Sequence, residues 1–208
     1  MVSGGGPGAM EATHLGAYFA TRSEADLLDA INMIKPRPDT GEAGKEYKDA
    51  DWLSRAWRVR ETYPLSAAQK DACMSIGIPT WFYGHEPPAP FATHIAKYFA
   101  NSIREDGLLI IAQYGVIFAP GSAGTRQEVF QDAAQNHYGA GGYYSPMILL
   151  GKDYWTGKGE HEYSYPVWQL LSKTASPDYK DLLSITDDAA DIIETIKAYN
   201  PQKHIKNS

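Results

Sequence analysis

Apolar residues fall along this chain in two alternating rhythms. Compact runs are bounded by glycine or proline, and longer stretches carry one apolar face at every third or fourth position. The runs 76–83, 116–118, 146–151 and 182–185 predict strands. Residues 116–118 and 146–151 have the unbroken apolar character of strands buried on both faces. The longer period predicts helices between them. One covers 7–20, with Met10, Leu15, Ala17 and Phe19 on its packed side and Pro7 in its first turn. Ser23 caps the next, with Glu24 and Asp26 in its first turn and Leu27, Leu28, Ile31 and Ile34 continuing it to Lys35-Pro36. Residues 36–48, rich in proline, glycine and charge, predict an exposed excursion. A helix over 49–63 places Trp52, Leu53, Ala56, Trp57 and Val59 inward and Arg55, Arg58 and Arg60 on a solvated face. Residues 91–101 read as helical, continued or restarted over 103–111. The helix 124–137 stops at Tyr138-Gly139-Ala140-Gly141-Gly142. Thr186 caps the last helix, with Asp187 and Asp188 in its first turn and Ile192, Ile193, Ile196 and Tyr199 buried; 201–208 read as a frayed tail.

Strands alternating with helices predict an α/β chain: a Rossmann-like, doubly wound parallel sheet with helices on both faces, one domain over 1–208. Two glycine turns stand at predicted strand ends. After 116–118 comes Ala119-Pro120-Gly121-Ser122-Ala123-Gly124-Thr125-Arg126-Gln127-Glu128. Proline and glycine end the strand, and the following helix turns its unpaired backbone N–H groups and the positive end of its dipole outward. An anionic phosphate suits that point. Thr125 adds a hydroxyl, and Glu128 lies one helical turn further along. The second turn is Val2-Ser3-Gly4-Gly5-Gly6-Pro7-Gly8-Ala9-Met10-Glu11-Ala12. Loops of this kind at the carboxyl ends of parallel strands face a ligand crevice in open α/β sheets. Neither has the G-x-G-x-x-G spacing of a dinucleotide fingerprint.

Together, Gly4-Gly5-Gly6-Pro7-Gly8-Ala9-Met10-Glu11-Ala12 and Pro120-Gly121-Ser122-Ala123-Gly124-Thr125-Arg126-Gln127-Glu128 resemble the two signatures of the LOG family. Its members, long misnamed lysine decarboxylases, include cytokinin riboside 5′-monophosphate phosphoribohydrolases and nucleotide nucleosidases. The family's P-G-G-x-G-T-x-x-E is kept here at every fixed position but one, where Ser122 replaces the second glycine. The resemblance implies a Rossmann-like fold and hydrolysis of a nucleoside 5′-monophosphate to free base and ribose 5-phosphate. It implies catalytic roles for Glu128 and Arg104, and substrate or phosphate contacts from Gly5, Gly6, Gly8, Gly121, Ser122, Gly124 and Thr125. Arg104 stands in Ser102-Ile103-Arg104-Glu105, without the histidine and lysine that flank the family's arginine. Its other reading is a helix arginine paired with Glu105 or Asp106. A family member would carry about one βα unit ahead of the first glycine turn, so the chain reads as an N-terminally shortened form. A homodimer or larger homo-oligomer is the family's implied assembly.

Composition narrows the partners. A net charge of −6 over 208 residues argues against a nucleic-acid polymer. One cysteine, Cys73, excludes an internal disulfide and suits the cytoplasm. No apolar run reaches the roughly twenty residues of a membrane span. His85-Glu86 lacks further ligands at metal spacing, so neither metal nor cofactor is expected. The chemistry asks little more than an anchor and an acid. Glycosidic cleavage passes through an oxocarbenium-like sugar, which a carboxylate stabilises while water attacks and the phosphate is held. The alternative is a nucleotide-binding regulatory or carrier protein without turnover.

Overall fold

A computed structural model describes residues 1–35, 49–81, 89–160 and 164–206. The excursion 36–48, the end of the predicted strand at Phe82-Tyr83 and the His85-Glu86 pair lie outside the described residues. The chain is mixed α/β and divides into two compact units, Met1–Arg104 and Glu105–Ser208.

The first unit contains β1 (Val2–Ser3), α1 (Ala9–Tyr18), α2 (Glu24–Ile34), α3 (Trp52–Thr62), α4 (Ala67–Lys70), β2 (Ile76–Gly77) and β3 (His94–Ile95). Its sheet is parallel, in the order β1-β2-β3, with Val2 opposite Ile76 and Ile76 opposite His94. β3 corrects the helix expected over 91–101. The N–H groups of His94, Ala96 and Tyr98 donate to the carbonyls of Ser75, Gly77 and Pro79, each at 3.0 Å. That ladder overrides a local sequence equally compatible with a helix. Leu15, Tyr18, Phe19, Ala30, Ala56, Val59 and Phe91 form the core. α2 starts as expected, with a reciprocal capping box between Ser23 and Asp26. α3 buries Trp52, Ala56 and Val59 as predicted, but Leu53 and Trp57 are exposed and Arg55 is buried. Asp49 and Asp51 pair with the Arg55 guanidinium, which makes its burial tolerable.

The division between the units falls inside α5 (Asn101–Ile111). The second unit continues with β4 (Val116–Phe118), α6 (Ala123–Tyr138), β5 (Met147–Leu150), α7 (Lys152–Trp155), α8 (Val167–Thr174), β6 (Leu183–Thr186) and α9 (Ala189–Ala198). Its sheet, also parallel, runs β4-β5-β6, with Val116 opposite Met147 and Met147 opposite Leu183. Met147, Ile148 and Leu149 of the central strand are fully buried, as the unbroken apolar run predicts. β4 lies at the edge of this sheet and leaves Ile117 40% exposed, so the expected burial on both faces holds for β5 and not for β4. Trp155, Val129 and Leu171 complete the core with Met147 and Leu149. The last helix is capped by Asp188, which accepts from the Ala190 N–H, rather than by Thr186. Thr186 instead accepts from the Asp188 N–H. Among the described residues no helix is long and apolar enough to cross a membrane.

Candidate functional site

The mouth between β4 and α6 belongs to the second unit. α6 opens after Ser122, whose backbone is extended and whose side chain makes no capping bond. The amides of Ser122, Ala123, Gly124 and Thr125 have no acceptor among the described residues. They are the orphan donors that every helix start presents, unanswered here by a side chain. Ser122 has φ −91°, so the position where the resembled signature carries glycine does not require glycine conformationally. Gly121 is different. A Cβ there would lie 2.1 Å from Thr125 Oγ1 and 2.8 Å from Thr125 Cβ, because the threonine folds back over the turn. The Gly121 N–H donates to the Tyr154 hydroxyl at 3.3 Å, and that hydroxyl in turn donates to the Gly121 carbonyl. Gly121 is therefore clamped by α7, and its amide is occupied.

Gly124 has no such internal reason. A Cβ at Gly124 would meet nothing within 4 Å, and glycine inside a helix costs about 1 kcal/mol relative to alanine. A surface kept bare at a cost, beside unanswered amides, fits close approach by a ligand. Glu128 is half-buried and stands four positions after Gly124 and three after Thr125, hence on the same helix face. Beneath, Gln127 donates to the buried Glu105 carboxylate at 2.7 Å, tying the first turns of α6 to α5.

The glycine loop after β1 belongs to the first unit. Gly5 and Gly6 are buried and Gly8, the residue before α1, is exposed. Gly5 and Gly8 have φ of +78° and +75°, values that other residues rarely adopt. Arg104 lies against this loop, 6% exposed. Its guanidinium donates to Asn101 Oδ1 at 3.0 and 2.7 Å, to the Ile78 carbonyl at 3.2 Å and to the Gly4 carbonyl at 3.4 Å. It thus caps the carboxyl ends of β1 and β2. A Cβ on Gly4 would lie 2.6 Å from the Arg104 guanidinium, so the loop's first glycine makes room for it.

Each glycine stretch is thereby a strand-to-helix turn at the carboxyl end of a parallel strand, and Arg104 accompanies the first while Glu128 accompanies the second. Sequence reasoning missed four contributors. Asn101 gave a signal only in its position three residues before Arg104. Tyr154 acts through its hydroxyl, which no motif marks. Ser3 and His14, which hold the first loop from inside, carry no motif. Among the described residues no group of three or more histidine, cysteine, aspartate or glutamate side chains could hold a metal ion. No protein-family model matches the chain, and no curated protein matches it.

Proposed function

We propose that this chain hydrolyses the N-glycosidic bond of a nucleoside 5′-monophosphate, releasing free base and ribose 5-phosphate. The observation that carries the reading is the mouth of α6: four amides with no acceptor among the described residues, a glycine kept bare at Gly124, and a half-buried Glu128 on the same face. In this reading Ser122, Gly124 and Thr125 hold the phosphate through their amides, aided by the positive end of the helix. Gly121 shapes the turn. The Glu128 carboxylate stabilises the positive charge that grows on the sugar, or takes the proton of the attacking water. For Gly5, Gly6, Gly8 and Arg104 of the first unit, a role in substrate contact is implied by the resemblance to the LOG family alone. Two small parallel sheets, β1-β2-β3 and β4-β5-β6, are consistent with a Rossmann-like α/β fold, which supports the same assignment. The reading needs no metal or cofactor, and it carries the family's homo-oligomeric, cytoplasmic character.

The purified chain, incubated with AMP, GMP, CMP and UMP, is expected to release free base detectable by chromatography. Glu128→Gln lowers that release by about 100-fold or more while AMP still binds. Release at the parent rate by this variant removes Glu128 from the chemistry. A second reading, binding without turnover, is favoured by the engagement of Arg104 with Asn101 and two backbone carbonyls. Binding of AMP by the parent chain with no base released would establish it.

A further inference from the structure

Beneath the first glycine loop lies a polar pair that the proposed chemistry does not use. His14, on α1, is completely buried, and its Nε2 is 2.8 Å from Ser3 Oγ at the end of β1. The same Ser3 Oγ accepts the N–H of Gly5 at 3.0 Å. His14 Nδ1 has no partner among the described residues. Hydrogen-bond accounting selects the proton positions. If Nε2 carried the proton, Ser3 Oγ would receive two donors and its own proton would need another acceptor. With Ser3 donating to Nε2, only the Nδ1–H is left over. Burial, with a smaller effect from the amino terminus, holds the imidazole below its ordinary value, in keeping with a neutral ring that accepts.

We infer that His14 and Ser3 are positioning residues which hold the Gly5 amide inward and so fix the conformation of the anion-binding loop after β1. Gly5 is held at a positive φ, and its neighbours Gly6 and Gly8 keep amides that meet no acceptor among the described residues. Those two, rather than Gly5, are the amides the loop leaves open to a ligand. The ligand part of this inference rests on the proposed nucleotide reading; the placement of the Gly5 amide does not.

The test uses the full chain labelled with 15N, with AMP and inorganic phosphate as probes. Amide exchange at Gly5 is expected to quicken about tenfold in Ser3→Ala and His14→Leu, with AMP affinity falling by a similar factor. His14→Gln, whose side-chain oxygen can accept from Ser3, restores both. A merely structural histidine would not be rescued in this way. Gly5 exchange unchanged in Ser3→Ala overturns the inference, as does changed exchange with unchanged affinity in a parent chain that binds AMP. Should the leucine and alanine variants fail to fold, the parent's His14 Nε2 resonance decides: an unprotonated nitrogen supports the pair, and an N–H there overturns it. A parent chain that binds neither probe ends the nucleotide reading, and Gly5 exchange then judges the positioning claim alone.

Discussion

Asp132 is a buried carboxyl of the second unit. It is 1% exposed on α6, with one oxygen accepting from Asn136 at 3.2 Å and the other unpartnered among the described residues. Leu109, Asn136, Tyr143 and Ser145 help to line a cavity of about 10 Å³ beside it, room for about one water. Burial pushes the carboxyl from 3.8 up to about 8. Between those values the folded chain keeps a proton that the unfolded chain has released, so stability falls as pH rises through this window and levels off above it. Each unit is about 1.4 kcal/mol, so a folded value only midway up this gap already makes the parent about 1 kcal/mol less stable at pH 9 than at pH 5 from this group. Asp132→Asn should flatten that slope, and urea titrations at the two pH values measure it. An unchanged slope would mean that water relieves the carboxylate. No feature of the sequence marked Asp132. An acid in a helix reads as solvated until the packing around it is known, and Arg55 was misjudged for the same reason before its pairing with Asp49 and Asp51 was visible.

Elements whose ends are fixed by local chemistry were legible. The Ser23 box, the Gly139 stop at φ +55° and the glycine turn before α6 all depend on a few adjacent residues. β3 was not, since its strand character comes from pairing with β2, some eighteen residues earlier in the chain. The candidate site divides in the same way. Gly121, Gly124, Thr125 and Glu128 are contiguous and could be read; the Tyr154 clamp and the Ser3–His14 pair bridge separate elements and could not. The turn before α6 also yields a paired prediction. Gly121→Ala places a methyl against Thr125 and should cost about 1–3 kcal/mol. Gly124→Ala meets no atom and replaces a poor helix former, so it should stabilise by about 1 kcal/mol while weakening AMP binding. Thermal melts and AMP titrations on both variants separate packing from ligand approach. If Gly124→Ala binds AMP as well as the parent does, the bare surface there has no ligand to explain it.

Two buried clusters, one in each unit, share no residue. Val59 of α3 is fully buried in the cluster of Leu15, Phe19 and Phe91, and Val129 of α6 is fully buried in that of Met147, Leu149 and Trp155. Truncating either to alanine deletes two methyl groups from a closed environment. Each loss should cost about 2 kcal/mol, from transfer and cavity together. Alanine suits both helices, so propensity does not add to the loss. Because neither valine belongs to the other's cluster, their effects should add in the double variant to within about 0.5 kcal/mol. Urea unfolding of the parent, both singles and the double closes the cycle, with the m-value checking that each variant still unfolds in one transition. Coupling above about 1 kcal/mol would mean that the two clusters respond as one core. Additivity would mean that a loss of packing in one cluster is not felt in the other, so that a substitution in the Ser3–His14 pair can be read without correcting for the packing around Val129.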